Sequence, residues 1–177
     1  DLNVYANMVM PTSLNDDLAA PVIYIDAKGK DVNNWEYTKC TVNIESDNSK
    51  FSKINLKAQI RGRGNSTWGY YEKKPYRLKF DDKIDLFGMG KAKKWSLLAN
   101  HVDRSLLRNH IALSLAQDVG IPYTSSHVYV DLYVNNEYYG NYCLTESVEI
   151  GETRVDIADL AGDTEDVNEG VELDELP

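Results

Sequence analysis

Apolar and polar positions alternate along most of the chain, and a period of two predicts β-strands. Val22-Ile23-Tyr24-Ile25 is a short apolar run closed by the turn residues Asp26-Ala27-Lys28-Gly29. Cys40-Thr41-Val42-Asn43-Ile44 alternates, and so does the run from Ile54 to Ile60, where Asn55, Lys57 and Gln59 share the polar face. The polar stretch from Ser46 to Ser52 turns the chain between them. Tyr76, Leu78 and Phe80 fall on one face of a further strand, with Arg77 and Lys79 on the other. Trp95-Ser96-Leu97-Leu98-Ala99 reads as a buried strand. Val128, Val130, Leu132 and Val134 alternate into Asn135-Asn136, and the chain returns from Tyr138 to Thr145. That is a hairpin, because asparagine tolerates the positive φ a tight turn needs.

The period changes once. Leu107, Ile111, Leu115 and Val119 recur every four residues, with Leu106, Leu113 and Ala116 widening the stripe. This predicts a helix from about Arg104 to Val119, capped by Asp103, ended by Gly120 and Pro122, and packed on a sheet through the stripe. Strands, one helix, then strands give the expected class as α+β, a mainly antiparallel sheet with one long packed helix. Residues 1–20 read as a lead-in. From Asp156 to Pro177 the chain is acidic with no basic residue, as in a solvated tail or linker.

The length of 177 residues suits one domain, and 42% apolar with 27% charged residues reads as globular. No apolar run is long enough to span a membrane, and no signal-peptide pattern opens the sequence. Cys40 and Cys143 lie in strand-like runs and read as buried free thiols. With His101, His110 and His127 they make no zinc-ligand spacing, so no metal site is assigned. The net charge of −9 is unevenly spread. Residues 51–110 carry 14 basic and 5 acidic groups, while residues 111–177 carry 1 and 15. A basic block inside an acidic protein points to a local anion site, or to halves that complement each other in the fold.

The basic block opens with Arg61-Gly62-Arg63-Gly64-Asn65-Ser66-Thr67-Trp68. Glycines let backbone N–H groups converge on an anion, two arginines add charged donors, and Asn65 and Ser66 add neutral ones. The competing reading is a tight loop whose arginines pair with the acidic tail. It is not a Walker motif, since no Gly-Lys-Ser/Thr ends it. Trp68, Tyr70 and Tyr71 suit either stacking on a base or sugar or a place in the core. Arg108 and Asn109, early in the helix, suit a phosphate contact or a surface ion pair.

These segments resemble the CotH family of atypical protein kinases, named after a bacterial spore-coat protein. The resemblance is carried in order by Arg61 to Trp68, Lys73-Lys74-Pro75-Tyr76-Arg77-Leu78-Lys79-Phe80, Lys94 to Asn100, Leu106-Leu107-Arg108-Asn109, and Val130 to Gly140 with Leu144-Thr145-Glu146. It covers about Pro21 to Ile157, with residues 158–177 as a tail or linker. It implies the smaller lobe and hinge of a kinase-like fold, and a site for ATP and a divalent metal such as Mg. The catalytic and metal-binding aspartates are expected beyond Pro177, leaving this chain incomplete for phosphoryl transfer. Lys73, Lys74 and Lys79 are each candidates for the phosphate-holding lysine. Glu146 is its candidate acidic partner, since the helix contains no glutamate. The turn Asn135-Asn136 replaces the family's usual Asn-Gly.

The resemblance also implies a protein substrate, spore-coat or other secreted partners, and a place outside the cell or on the spore or cell surface of a bacterium. A second reading is a non-catalytic module binding protein or polysaccharide in a secreted assembly. Single-stranded nucleic-acid binding through the basic block is disfavoured by the acidic total.

Overall fold

The structure is a computed structural model that describes residues 20–158. Seven strands form it: β1 Val22–Asp26, β2 Thr38–Glu45, β3 Lys53–Gly62, β4 Tyr76–Asp85, β5 Lys91–Leu98, β6 His127–Val134 and β7 Glu137–Glu146. They close into a barrel in the order β1-β2-β3-β4-β5-β7-β6. Every pairing is antiparallel except the closing seam of β1 on β6, where Ile23 stands beside Leu132 and Ile25 beside Val134.

The alternation seen in the sequence becomes an inside and an outside. Ile23, Ile25, Val42, Ile44, Ile60, Leu78, Phe80, Trp95, Leu97, Val130, Leu132 and Leu144 fill the barrel. On the outer surface, Tyr133 stacks between Tyr24 and Tyr138, each ring centroid 5.1 Å away. The Tyr24–Tyr133 pair straddles the β1–β6 seam, a cross-strand contact that steadies closure. Asn135 and Asn136 take positive φ as the hairpin turn requires, and the Asn135 Oδ1 accepts hydrogen bonds from the N–H groups of Ala27 and Gly29. Both cysteines are buried and unpaired, and burial pushes each thiol up to about 12.

The expected α+β class is corrected: the protein is mostly β, a closed barrel carrying two short helices among the described residues, and not the smaller lobe of a kinase-like fold with a long packed helix. Helix α1 is Ser66–Tyr70 and helix α2 is Arg108–Asp118. The predicted first turn of α2 does not form, because Leu106 sits at φ 58° and breaks the helical path. Asp103 does serve the helix start: its Oδ2 accepts the Arg108 N–H at 2.8 Å and its Oδ1 accepts the Ser105 hydroxyl at 2.6 Å. The apolar stripe packs only in part, with Leu106, Leu107, Leu113 and Ala116 half-buried. Ile111, Leu115 and Val119 are 39%, 54% and 64% exposed, and no residue of α2 is fully buried. The half-buried residues of the helix are His110, Leu113, Ser114 and Ala116, and His110 meets His127 of β6. No helix among the described residues is long and apolar enough to cross a membrane. The lead-in and nearly all of the acidic tail lie outside the described residues.

Candidate functional site

The glycine-rich loop is shaped by two contacts. Trp68, the centre of α1, lies directly on Gly62, where a Cβ would come within 2.2 Å of the indole. Gly64 turns at φ 80° against the Thr67 hydroxyl. The Arg63 N–H donates to the Pro75 carbonyl, so the loop is tied to the start of β4. Arg63 is thereby turned into a cleft of about 490 Å³ between the loop, the end of β5 and the start of α2. Lys73, Arg108 and Asn109 line the same cleft, with Tyr71, Asn100, His101 and Asp103.

Four of the residues singled out from sequence, Arg63, Lys73, Arg108 and Asn109, therefore share one concavity. Arg63 is half-buried, and burial together with the neighbouring Arg77 guanidinium lowers its pKa. Among the described residues it forms no ion pair, and its Nε is buried without a hydrogen-bond partner. Lys73 donates to the Asn141 carbonyl at 2.5 Å and lies 4.7 Å from the centre of the Tyr142 ring. Burial lowers its pKa, and Asp131 opposes the shift. Arg108 is open to solvent, its Nε 3.7 Å from Asp103. Asn109 donates to the Asn100 side chain at 2.7 Å, and the Asn100 Nδ2 is another buried group without a partner. Tyr71 and His101 stack at the rim, 5.0 Å apart.

A basic strip continues from the cleft over the outer face of β3 and β4. Arg61 stands opposite Arg77 in register, and both have a buried, unpartnered Nε. Arg61 and Lys79 lie 4.6 and 5.9 Å from the centre of one ring, Tyr37. Arg61 and Lys79 do not line the cleft. Like charges gathered with no ion pair among the described residues are costly, and an oxyanion relieves them.

The remaining residues lie elsewhere. Lys74 donates to the Trp68 carbonyl and lies over that indole, so it braces the loop. Asn65 and Ser66 sit at the exposed start of α1. Glu146 is on the other side of β5, where its Oε1 accepts from the Arg154 Nη1 at 2.6 Å and its Oε2 from the Ser126 N–H. Asn100 and His101 line the cleft and Arg77 neighbours Arg63, and none of the three was singled out as a site residue. Their sequence signals were the placing of Arg77 and Lys79 on a common polar face and the end of the Lys94 to Asn100 segment at Asn100; His101 offered none.

The donor set fits phosphate oxygens: two half-buried cations, an exposed guanidinium and two carboxamides. It does not fit a metal ion, because no group of three or more His, Cys, Asp or Glu suited to hold one exists among the described residues. In comparison with known proteins, residues 60–174 match the family model described as CotH kinase protein. No curated protein matches the chain.

Proposed function

The chain belongs to the CotH kinase family, matched over more than half of its length, and from that premise we propose that the cleft holds the phosphates of ATP during protein phosphorylation. The observation that carries this reading is Arg63: a half-buried guanidinium beside Arg77, facing a cleft, with no acidic partner among the described residues. Arg63 and Lys73 grip phosphate oxygens, and Arg108 and Asn109 close on them from the start of α2. Of the three lysines, Lys73 is favoured because it lines the cleft, whereas Lys74 braces Trp68 and Lys79 lies out beside Tyr37. The nucleotide brings its own divalent ion, such as Mg, and no residue described here is assigned to ligate it. What the side chains supply is position and charge, the two contributions phosphoryl transfer draws on most. The protein substrate and a spore-coat or cell-surface setting follow from the family.

Titration calorimetry with ATP and magnesium tests this. Arg63→Ala and Lys73→Ala each weaken binding by about 1.5–3 kcal/mol, the scale of a lost charged hydrogen bond. Lys74→Ala is expected to lower stability first and to affect ATP only through the loop. ATP affinity unchanged in both Arg63→Ala and Lys73→Ala would refute the assignment.

A further inference from the structure

The outer wall of β2, β3 and β4 carries cations that the cleft does not use. Lys57, Gln59 and Arg61 take every second position of β3 and face outward, alternating with the buried Ala58 and Ile60. Across the strands, Lys39, Gln59, Lys79 and Lys94 stand in one row of the register, and Arg61 stands beside Arg77 in the next. At Gln59 the wall also opens into a hollow of about 430 Å³, lined by Lys28, Lys30, Lys39 and Lys57.

Little of this charge is answered within the fold. Lys94, at the end of its row, is paired with Glu149 at 2.9 Å. The other cations of the wall form no ion pair among the described residues. Two acids stand close by, Asp81 in the lining of the hollow and Asp26 near Cys40. They are outnumbered by the four lysines of the hollow alone. Two of the cations are also held in place: Arg61 and Lys79 lie 4.6 and 5.9 Å from the centre of the Tyr37 ring. A ligand therefore meets them already positioned.

We propose that this wall is a docking surface for an extended acidic segment of a partner protein, one with a carboxylate on every second residue. The surface is separate from the cleft, and the proposal does not rest on the phosphate reading above.

Charge and spacing both argue for that occupant. Alternate side chains of an extended peptide recur about 6.7 Å apart on one face, the interval at which β3 presents Lys57, Gln59 and Arg61. Arg61 and Arg77 offer planar forks that bind a carboxylate through two parallel hydrogen bonds. A single exposed ion pair contributes little, so binding draws on several at once and weakens with salt. A nucleic acid suits the wall less well. Its strand runs on past the cations and meets a chain whose net charge is −9. Single strands are also held by bases stacked on open aromatic rings, and the Tyr37 ring of this wall is already engaged by Arg61 and Lys79.

Fluorescence anisotropy on the full chain tests this, with a labelled peptide of alternating glutamate and threonine, about eight residues long so that it spans β3. The control peptide carries glutamine for glutamate. Wild type is expected to bind the acidic peptide at least about tenfold more tightly than the control at low salt. Lys39→Gln/Lys57→Gln and Arg61→Gln are each expected to weaken the acidic peptide about tenfold. Both lysines are exposed, so their variant keeps the test decisive even where Arg61→Gln disturbs the fold. Arg63→Ala, in the cleft, is expected to stay within about twofold of wild type. Equal binding of the two peptides, or unchanged affinity in Lys39→Gln/Lys57→Gln, would overturn the proposal. So would a loss in Arg63→Ala as large as in the wall variants, which would put the peptide in the cleft. A thymidine oligonucleotide of the same charge that binds as tightly as the acidic peptide would overturn it too, since the wall would then attract any polyanion.

Discussion

Glu146 and Arg63 show what single residues disclose and what they hide. Arg63 reads as an anion contact from its glycine-rich setting, and its half-buried place in the cleft supports the proposal built on it. Glu146 reads as an acidic partner for a lysine, yet it meets Arg154, whose side chain is 3% exposed, against 12% for its own. Arg154 in turn lies 4.6 Å from the centre of the Trp95 ring. Both partners are thus nearly dry, and removing one leaves the other charged in the interior. Glu146→Ala is expected to cost about 3 kcal/mol or more of folding stability. ATP affinity is expected to stay unchanged, because the pair lies outside the cleft. Denaturant midpoints beside ATP titrations check this, and a large affinity loss with little destabilisation would place Glu146 at the nucleotide after all. Sequence was silent on Arg154 because a lone arginine in an acidic stretch has no pattern; only the chain's return past β5 gives it meaning.

At the scale of elements, strands were legible and the helix was half legible. Alternation located β2, β3, β4 and β6, since a barrel wall has one wet and one dry face, while β1 and β5 were read from short apolar runs and β7 from the hairpin turn before it. The four-residue repeat located α2 within a few residues of its observed ends. The same repeat misled about packing. Periodicity shows that a helix has an apolar stripe, not that this stripe meets the rest of the described structure. Leu115 makes the difference measurable. A packed leucine would cost about 2–5 kcal/mol on truncation. At 54% exposure, Leu115→Ser is instead expected to change stability by about 0.5 kcal/mol or less, as surface substitutions do. Thermal unfolding of the variant decides it, and a loss in the core range would mean that the stripe is covered in the folded protein.

The whole molecule was the least legible level, because closure joins segments far apart in sequence. Each hairpin carries its own turn signal, but nothing local says that β1 will lie parallel to β6, more than 100 residues on. The consequence reaches the family match, which runs from residue 60 to residue 174. Those residues hold β4 to β7 and only the end of β3; β1, β2 and most of β3 precede them. Without the earlier strands, β6 loses its partner on one side and β4 keeps only a remnant of its own. The faces of Leu78, Phe80, Leu132 and Val134 then lose Ile23, Ile25, Val42 and Ile44 opposite them in the core. With two open edges and a third of the core residues gone, burial does not offset the entropy of ordering the chain. A fragment of residues 60–177 is therefore expected to be unfolded or aggregated, whereas residues 20–177 fold cooperatively. Far-ultraviolet circular dichroism and the fluorescence of the buried Trp95 give the readout. In the longer chain both signals should change at one denaturant concentration. A fragment from residue 60 that shows a sharp transition of its own would mean that the cleft is built on a smaller unit than the barrel.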